Sequence, residues 1–145
     1  MRRALALGAV LVVAAAGSGA AVATRAAAAP AQVVRAWSKA LNANDNQAAA
    51  RLFAPNALIV EGSLYLRLKT HTLAVEFNDS LPCAGRVVAV TVKGHDATGT
   101  FLLGHRPKHT CDGPGEKAAA LFVVKNGKIV VWERVPVPAP TSNGI

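Results

Sequence analysis

An apolar stripe with helical spacing opens the patterned part of the chain. It follows Pro30, which suits the first turn of a helix, and consists of Val33, Val34, Trp37 and Leu41. Asp45 then predicts the cap of a second helix, because its carboxylate can accept hydrogen bonds from free backbone N–H groups. The buried side of that helix is predicted to be Ala48, Ala49, Leu52 and Phe53, and Pro55 with Asn56 is predicted to end it.

Later segments change to the alternation that is typical of strands. Residues 57–61 predict a short strand, and residues 64–69 place every second leucine on one face. Thr70 predicts the cap of a third helix, which Pro82 closes. Four strands are then predicted at 86–93, 97–104, 117–125 and 128–135, joined in pairs by turns at Gly94 and at Asn126-Gly127. Helices followed by long antiparallel strands indicate an α+β fold.

Both ends of the chain differ from this pattern. Residues 1–29 combine a positive start, an alanine-rich apolar run and small residues, which predicts a cleaved secretory signal. An uncleaved membrane anchor is the alternative, although alanine drives insertion weakly. Residues 136–145 predict a proline-rich flexible tail. We therefore expect one domain at 30–135, secreted or held at the cell envelope, with no stable membrane insertion after cleavage.

The charge of the chain excludes one class of partner. The formal net charge is +8, and +6 remains without Arg2 and Arg3. The basic residues are scattered, no nucleic-acid motif frames them, and few aromatic residues are present to stack on bases. We interpret them as a solvated basic surface and expect no nucleic-acid partner.

The two cysteines, Cys83 and Cys111, predict a disulfide. An even cysteine count in an exported chain favours pairing, and Cys83 precedes one strand of a predicted hairpin whose partner strand ends before Cys111. A metal site that also uses His105, His109 and Asp112 is the alternative, but its spacing matches no familiar zinc pattern. We expect the disulfide and no metal site.

The helix–turn–helix–strand run from Trp37 to Gly62 resembles the opening of the nuclear-transport-factor-2-like superfamily, which includes SnoaL-like polyketide cyclases and ketosteroid isomerases. This resemblance implies a cone, in which three helices from the N-terminal half cover one face of a curved antiparallel sheet. In the isomerases, a carboxylate after the second helix acts as a base, and a tyrosine and a protonated acid hold the oxyanion. Glu61 matches the position of the base, Trp37 that of the tyrosine, and Ala120 that of the acid.

Ordinary steroid isomerase activity is therefore not expected, because loss of one oxyanion donor can cost two or three orders of magnitude in rate. The preferred hypothesis is a domain that binds a small apolar molecule, with no cofactor, in a pocket between helices and sheet. The predicted lining is Trp37, Phe53, Glu61, Phe77, Phe101 and Trp132. One alternative is an isomerase, cyclase or hydrolase that uses Glu61 as base, and another is a homo-oligomeric interaction module, such as a homodimer, without a ligand. An exposed Glu61 at a strand end is also open.

Overall fold

The computed structural model describes residues 17–19 and 26–140 of the chain. Most of the predicted secretory signal, and residues 141–145 of the predicted tail, lie outside the described residues. The helices and strands are α1 (Pro30–Asn42), α2 (Asn46–Arg51), β1 (Phe53–Glu61), β2 (Leu64–Leu68), α3 (His71–Ser80), β3 (Cys83–Lys93), β4 (Asp96–His105), β5 (Lys117–Lys125) and β6 (Lys128–Val135). The predicted α+β class is confirmed.

The six strands form one curved sheet that does not close into a barrel. Their order is β2-β1-β6-β5-β4-β3. The prediction of an antiparallel sheet needs one correction, because β1 pairs with β6 in parallel while the other neighbouring strands are antiparallel. A parallel pair requires a long connection, and the chain from β2 through β5 supplies it.

Local signals set most of the element boundaries. Asp45 caps α2 by accepting from the backbone N–H of Ala48, and Thr70 caps α3 by accepting from that of Leu73. Asn126 and Gly127 both have positive φ, 50° and 73°, as the turn between β5 and β6 requires. These three predictions are confirmed.

The predicted end of the second helix is wrong. Phe53, placed in that helix by its apolar spacing, begins β1, and Pro55 and Asn56 lie within the strand rather than after a helix. The pairing of β1 with β6 shifts register between Phe53 and Leu58, and Asn56 has a φ of 60°. Proline is tolerated at such an irregularity because the ladder is interrupted there.

The core lies between the helices and one face of the sheet. Its largest fully buried apolar side chains come from both layers: Phe122, Leu41, Leu68, Ile129, Val33, Val34 and Val124. α1 contacts β3, β4 and β5, whereas α3 contacts α2 and β2. Among the described residues, no helix is both long and apolar enough to cross a membrane.

Candidate functional site

A cavity of about 270 Å³ lies between α1 and the strands β3 to β6, and we call it the α1 cavity. Apolar side chains from both layers form most of its wall. From the helical side and the chain after α3 these are Trp37, Leu41 and Leu81; from the sheet they are Phe101, Leu103, Ala118, Ala119, Ala120 and Trp132. Polar side chains occur at Ser38, Asp112, Glu116 and Arg134. The wall suits a small, mainly apolar ligand.

The predicted pocket residues divide between the α1 cavity and the packed core. Trp37, Phe101 and Trp132 line the α1 cavity, whereas Phe53 and Phe77 are outside its lining. The rings of Phe53 and Phe77 are 5.9 Å apart, and that of Phe77 is 5.2 Å from Trp132. Phe77 therefore packs against Phe53 and Trp132 and does not line the α1 cavity.

A second cavity, of about 410 Å³, lies where α2, β1 and α3 meet. Phe53 lines it, but exposed polar side chains, including Lys69, His71 and Lys128, form much of its border. The basic side chains Arg51, Lys69 and Lys128 at its border make it a less suitable site for an uncharged apolar ligand.

Trp37 occupies the centre of the aromatic cluster. Its ring lies 5.2 Å from Phe122 and 5.7 Å from Phe101 in edge-to-face geometry. Its indole N–H donates to Asn78 Oδ1 at 2.8 Å, and the amide of Asn78 donates in turn to the carbonyl of Ala74 at 2.7 Å. The one polar hydrogen of Trp37 is thus already used inside the core.

Trp132 differs from Trp37 in this respect. It is only 3% exposed, and its ring contacts Trp37 and Phe77, with centroids 6.1 Å and 5.2 Å away. Its indole nitrogen is buried and has no hydrogen-bond partner within residues 17–19 and 26–140. Because this nitrogen has almost no accessible surface, Trp132 contributes its ring and not its indole N–H to the wall of the α1 cavity.

Glu61 ends β1 on the same strand face as Ala57 and Ile59, as the alternation predicts. Its side chain is 40% exposed, and Oε1 accepts from Nε of Arg134 at 2.9 Å. Arg134 lines the cavity, but Glu61 is not part of the lining. The carboxylate of Glu61 is therefore connected to the cavity only through its ion pair with Arg134. Ala120, at the position matched to the missing acid, is part of the wall.

The disulfide between Cys83 and Cys111 is confirmed, with an S–S distance of 2.04 Å. It joins the start of β3 to the segment 106–116, which connects β4 to β5. Asp112, Gly113 and Glu116 of this segment line the α1 cavity, as does Cys83. The crosslink thus fixes part of the cavity border and removes both thiols as metal ligands.

An arginine that the sequence analysis missed anchors the same segment. Arg106 is 3% exposed and donates to Oδ1 of Asn44 at 2.8 Å and to Oδ1 of Asn46. It also donates to the carbonyls of Asn78 and Leu81, at 2.7 Å and 3.0 Å. We call these five residues the Arg106 cluster. It connects the turn after α1 to the end of α3 and to the segment 106–116.

Burial lowers the pKa of Arg106, and the nearby carboxylate of Asp79 partly opposes that effect. The guanidinium stays charged at neutral pH, since arginine is effectively always protonated in proteins. A charged group surrounded mainly by neutral oxygens is suited to holding elements together rather than to proton transfer. Sequence reasoning had no signal for it, because a single arginine before Pro107 looks like any loop residue.

The histidines do not form a site with the other ligand-type residues. His109 Nδ1 and Nε2 are 2.9 Å and 2.7 Å from the carbonyl oxygens of Pro107 and Asp79. Over the part of the chain that the structure describes, three or more His, Cys, Asp or Glu side chains do not come together as metal ligands would.

The chain matches no protein-family model, and no curated protein matches it. Solved structures do match its fold. An NTF2-like protein of unknown function from Cytophaga hutchinsonii is 14% identical, with a TM-score of 0.61 over 78% of this chain and 92% of that one. A SnoaL-like protein of unknown function from Burkholderia thailandensis is 17% identical, with a TM-score of 0.56 over 75% of this chain and 95% of that one.

A third structure contains a small ligand. It is a hypothetical protein with a ketosteroid isomerase-like fold from Catenulispora acidiphila, in complex with trimethylamine. It is 15% identical, with a TM-score of 0.58 over 75% of this chain and 87% of that one. The likeness establishes the nuclear-transport-factor-2-like fold of this chain, and the fold hosts many chemistries.

Proposed function

We propose that this protein binds a small, mainly apolar molecule in the α1 cavity. The observation that carries the proposal is the open volume of about 270 Å³ beneath α1, whose wall is mostly apolar. A concave, mainly apolar wall with a few polar side chains at its border is typical of small-molecule sites. The complex of trimethylamine with a protein of similar fold supports a role in small-molecule binding.

Filling the cavity tests this proposal. Ala120 is buried and lines the α1 cavity, so Ala120→Leu should occupy the volume that a ligand would use. The probe is α-methylstyrene, titrated into ¹⁵N-labelled protein and followed by NMR. We expect wild type to bind it and Ala120→Leu to lose most of the affinity while remaining folded.

Ala36→Leu is the matched control, because it makes the same change on an exposed position of α1. It should leave binding unchanged. If Ala120→Leu destabilises the fold by about 1–3 kcal/mol, as overpacking of a filled core does, the cavity is not open in solution and the proposal is wrong.

An enzymatic role is the second candidate, and the contact between Glu61 and Arg134 is the observation in its favour. A ligand that displaced Arg134 from the ion pair would bring the carboxylate to the cavity border. The reaction would then be abstraction of a proton by the Glu61 carboxylate, from a ligand carbon next to an electron-withdrawing group. Loss of turnover in Glu61→Gln, with binding retained, would support this role.

We also propose that the N-terminal segment directs export of the domain and is then cleaved. The disulfide supports an oxidising compartment. Cleavage should leave a protein that begins between Thr24 and Gln32, which intact mass measurement of the exported material would show. Recovery of membrane-bound protein that retains Met1 would contradict it.

A further inference from the structure

We propose that the second cavity, where α2, β1 and α3 meet, binds a small phosphate monoester that carries an apolar group. We call it the basic cavity, because Arg51, Lys69, His71 and Lys128 lie at its border. The basic cavity shares no lining residue with the α1 cavity. The proposal therefore adds a second site and does not depend on the function proposed for the first.

The charge of the border is the first argument. Arg51, Lys69 and Lys128 are cations at neutral pH, and no Asp or Glu among the described residues lines the basic cavity. Neither of the ion pairs in residues 17–19 and 26–140 involves these three cations. Like charges around one cavity repel one another, and a bound anion would relieve that repulsion.

The fold, rather than a run of basic residues in the sequence, brings these cations together. Arg51 ends α2, Lys69 follows β2, and Lys128 begins β6. The N–H of Ile129 donates to the carbonyl of Leu52 at 2.8 Å. Nζ of Lys128 donates to the carbonyl of Arg51 at 2.6 Å. These bonds hold the start of β6 against the end of α2, and so keep two of the cations at the same border.

Two neighbouring side chains add polar groups to this border. Oγ1 of Thr70 accepts from the backbone N–H of Leu73 at 3.1 Å, and its O–H hydrogen can still be donated to a ligand oxygen. Nε2 of His71 lies 2.7 Å from Oε1 of Gln47, which orients the imidazole ring. The border therefore offers a hydroxyl donor beside one guanidinium and two ammonium groups.

This set of donors fits a phosphate monoester better than a carboxylate. A phosphate monoester has three terminal oxygens and carries a charge of about −1.5 to −2 at pH 7. A carboxylate has two oxygens and a single negative charge. With three cations at the border, a carboxylate would leave most of the positive charge without a counterion.

The inner wall of the basic cavity favours an apolar group on the ligand. It includes Phe53, Leu68 and Ala74, which are all buried, together with Ala54 and Pro55. Inorganic phosphate would use only the border and would leave this wall without a contact. The volume of about 410 Å³ is near the lower end of the range for small-molecule sites, about 300–1,000 Å³. One ring or a short chain fits it.

The experiment titrates three probes into ¹⁵N-labelled protein with the disulfide formed. Phenyl phosphate carries both the phosphate and a ring, inorganic phosphate lacks the ring, and benzyl alcohol lacks the charge. Backbone amide signals locate the binding. Those of Lys69, Thr70 and His71 report on the basic cavity, and those of Ala119 and Ala120 report on the α1 cavity.

We expect phenyl phosphate to bind about 10-fold more tightly than inorganic phosphate, because its ring removes apolar surface from water. It should move the amide signals of Lys69, Thr70 and His71 and leave those of Ala119 and Ala120 in place. Benzyl alcohol should bind more weakly than phenyl phosphate. Added salt should lower the affinity for phenyl phosphate, because ions screen exposed charges.

Lys69→Gln and Arg51→Gln each remove one cation from the border. Both positions are exposed, so the variants should fold, and each should bind phenyl phosphate about 3- to 10-fold more weakly. Lys93→Gln is the matched control. It removes the same charge from an exposed position on β3, at the opposite edge of the sheet, and should leave the affinity unchanged.

Equal losses in Lys69→Gln and Lys93→Gln would show that affinity follows net charge, and would overturn the proposal. Inorganic phosphate that binds as tightly as phenyl phosphate would also overturn it, as would shifts at Ala119 and Ala120 instead of the basic cavity. Binding to phosphatidylcholine vesicles that contain phosphatidic acid, without binding of phenyl phosphate, would assign the cations to a lipid surface and overturn the small-molecule site. None of these outcomes alters α-methylstyrene binding, which tests the α1 cavity separately.

Discussion

Buried polar groups occur in two regions of this protein that differ in whether their hydrogen bonds are complete. In the Arg106 cluster, a buried guanidinium donates to four different residues. In the aromatic cluster beside the α1 cavity, the buried indole N–H of Trp132 has no partner among the described residues. Complete bonding connects elements and stabilises the fold, whereas a buried donor without a partner is a cost to stability. Substitutions in the Arg106 cluster should therefore lower the stability of the fold, whereas substitutions in the wall of the α1 cavity should mainly change binding.

The largest effect on stability is expected for Arg106→Met. The substitution leaves the oxygens of Asn44, Asn78 and Leu81 without their donor, and we expect a loss of about 4 kcal/mol in the free energy of unfolding. Urea denaturation with the disulfide intact measures it. Arg86→Met, at an exposed position of β3, is the control and should cost no more than about 0.5 kcal/mol. Similar losses in the two variants would contradict the structural role of the cluster.

Removal of the disulfide is expected to follow in size. The Cys83→Ser, Cys111→Ser double variant should lose about 3.5 kcal/mol, because the unfolded chain is no longer constrained by the crosslink. Because the disulfide also fixes the cavity border, binding of α-methylstyrene should weaken. Denaturation of the variant and of chemically reduced wild type should agree. A variant as stable as oxidised wild type would show that the Arg106 cluster alone holds the segment 106–116.

The two tryptophans allow a direct comparison of a used and an unused donor. Trp37→Phe leaves Oδ1 of the buried Asn78 without a donor, whereas Trp132→Phe removes a nitrogen that has no partner. Both lose similar ring volume, so Trp37→Phe should be the less stable variant by about 2 kcal/mol. Thermal or urea denaturation of the ligand-free proteins decides this. Equal stabilities would mean that Trp132 is hydrogen-bonded in the free protein.

Local sequence signals account for most of the fold. Asp45, Thr70 and Asn126-Gly127 each satisfy a backbone requirement within a few residues, so their roles are readable from the sequence. The start of β1 at Phe53 could not be predicted from the sequence, because apolar spacing over four residues fits the end of a helix as well as a strand. The parallel pairing of β1 with β6 depends on contacts distant in sequence, and no short motif encodes it.

The candidate site was less predictable than the fold. Aromatic character predicted Trp37, Phe101 and Trp132, which line the α1 cavity. It also predicted Phe53 and Phe77, which lie outside that wall. Aromatic residues line cavities and fill cores alike, so composition cannot separate the two. Arg106 and the unused donor of Trp132 depend on which groups meet in three dimensions, and only the structure reveals them.

The smallest effect on stability is expected for Glu61→Gln. Glu61 and Arg134 are 40% and 49% exposed, and exposed ion pairs contribute little because water screens them. The substitution should change the free energy of unfolding by no more than about 0.5 kcal/mol. Arg134→Gln breaks the same ion pair but also alters a side chain in the cavity wall, so it serves as the matched comparison. The affinity for α-methylstyrene, measured by NMR titration, should change in Arg134→Gln and stay constant in Glu61→Gln. If Glu61→Gln weakens binding as much as Arg134→Gln, the carboxylate takes part in the site, and a role as base becomes the stronger hypothesis.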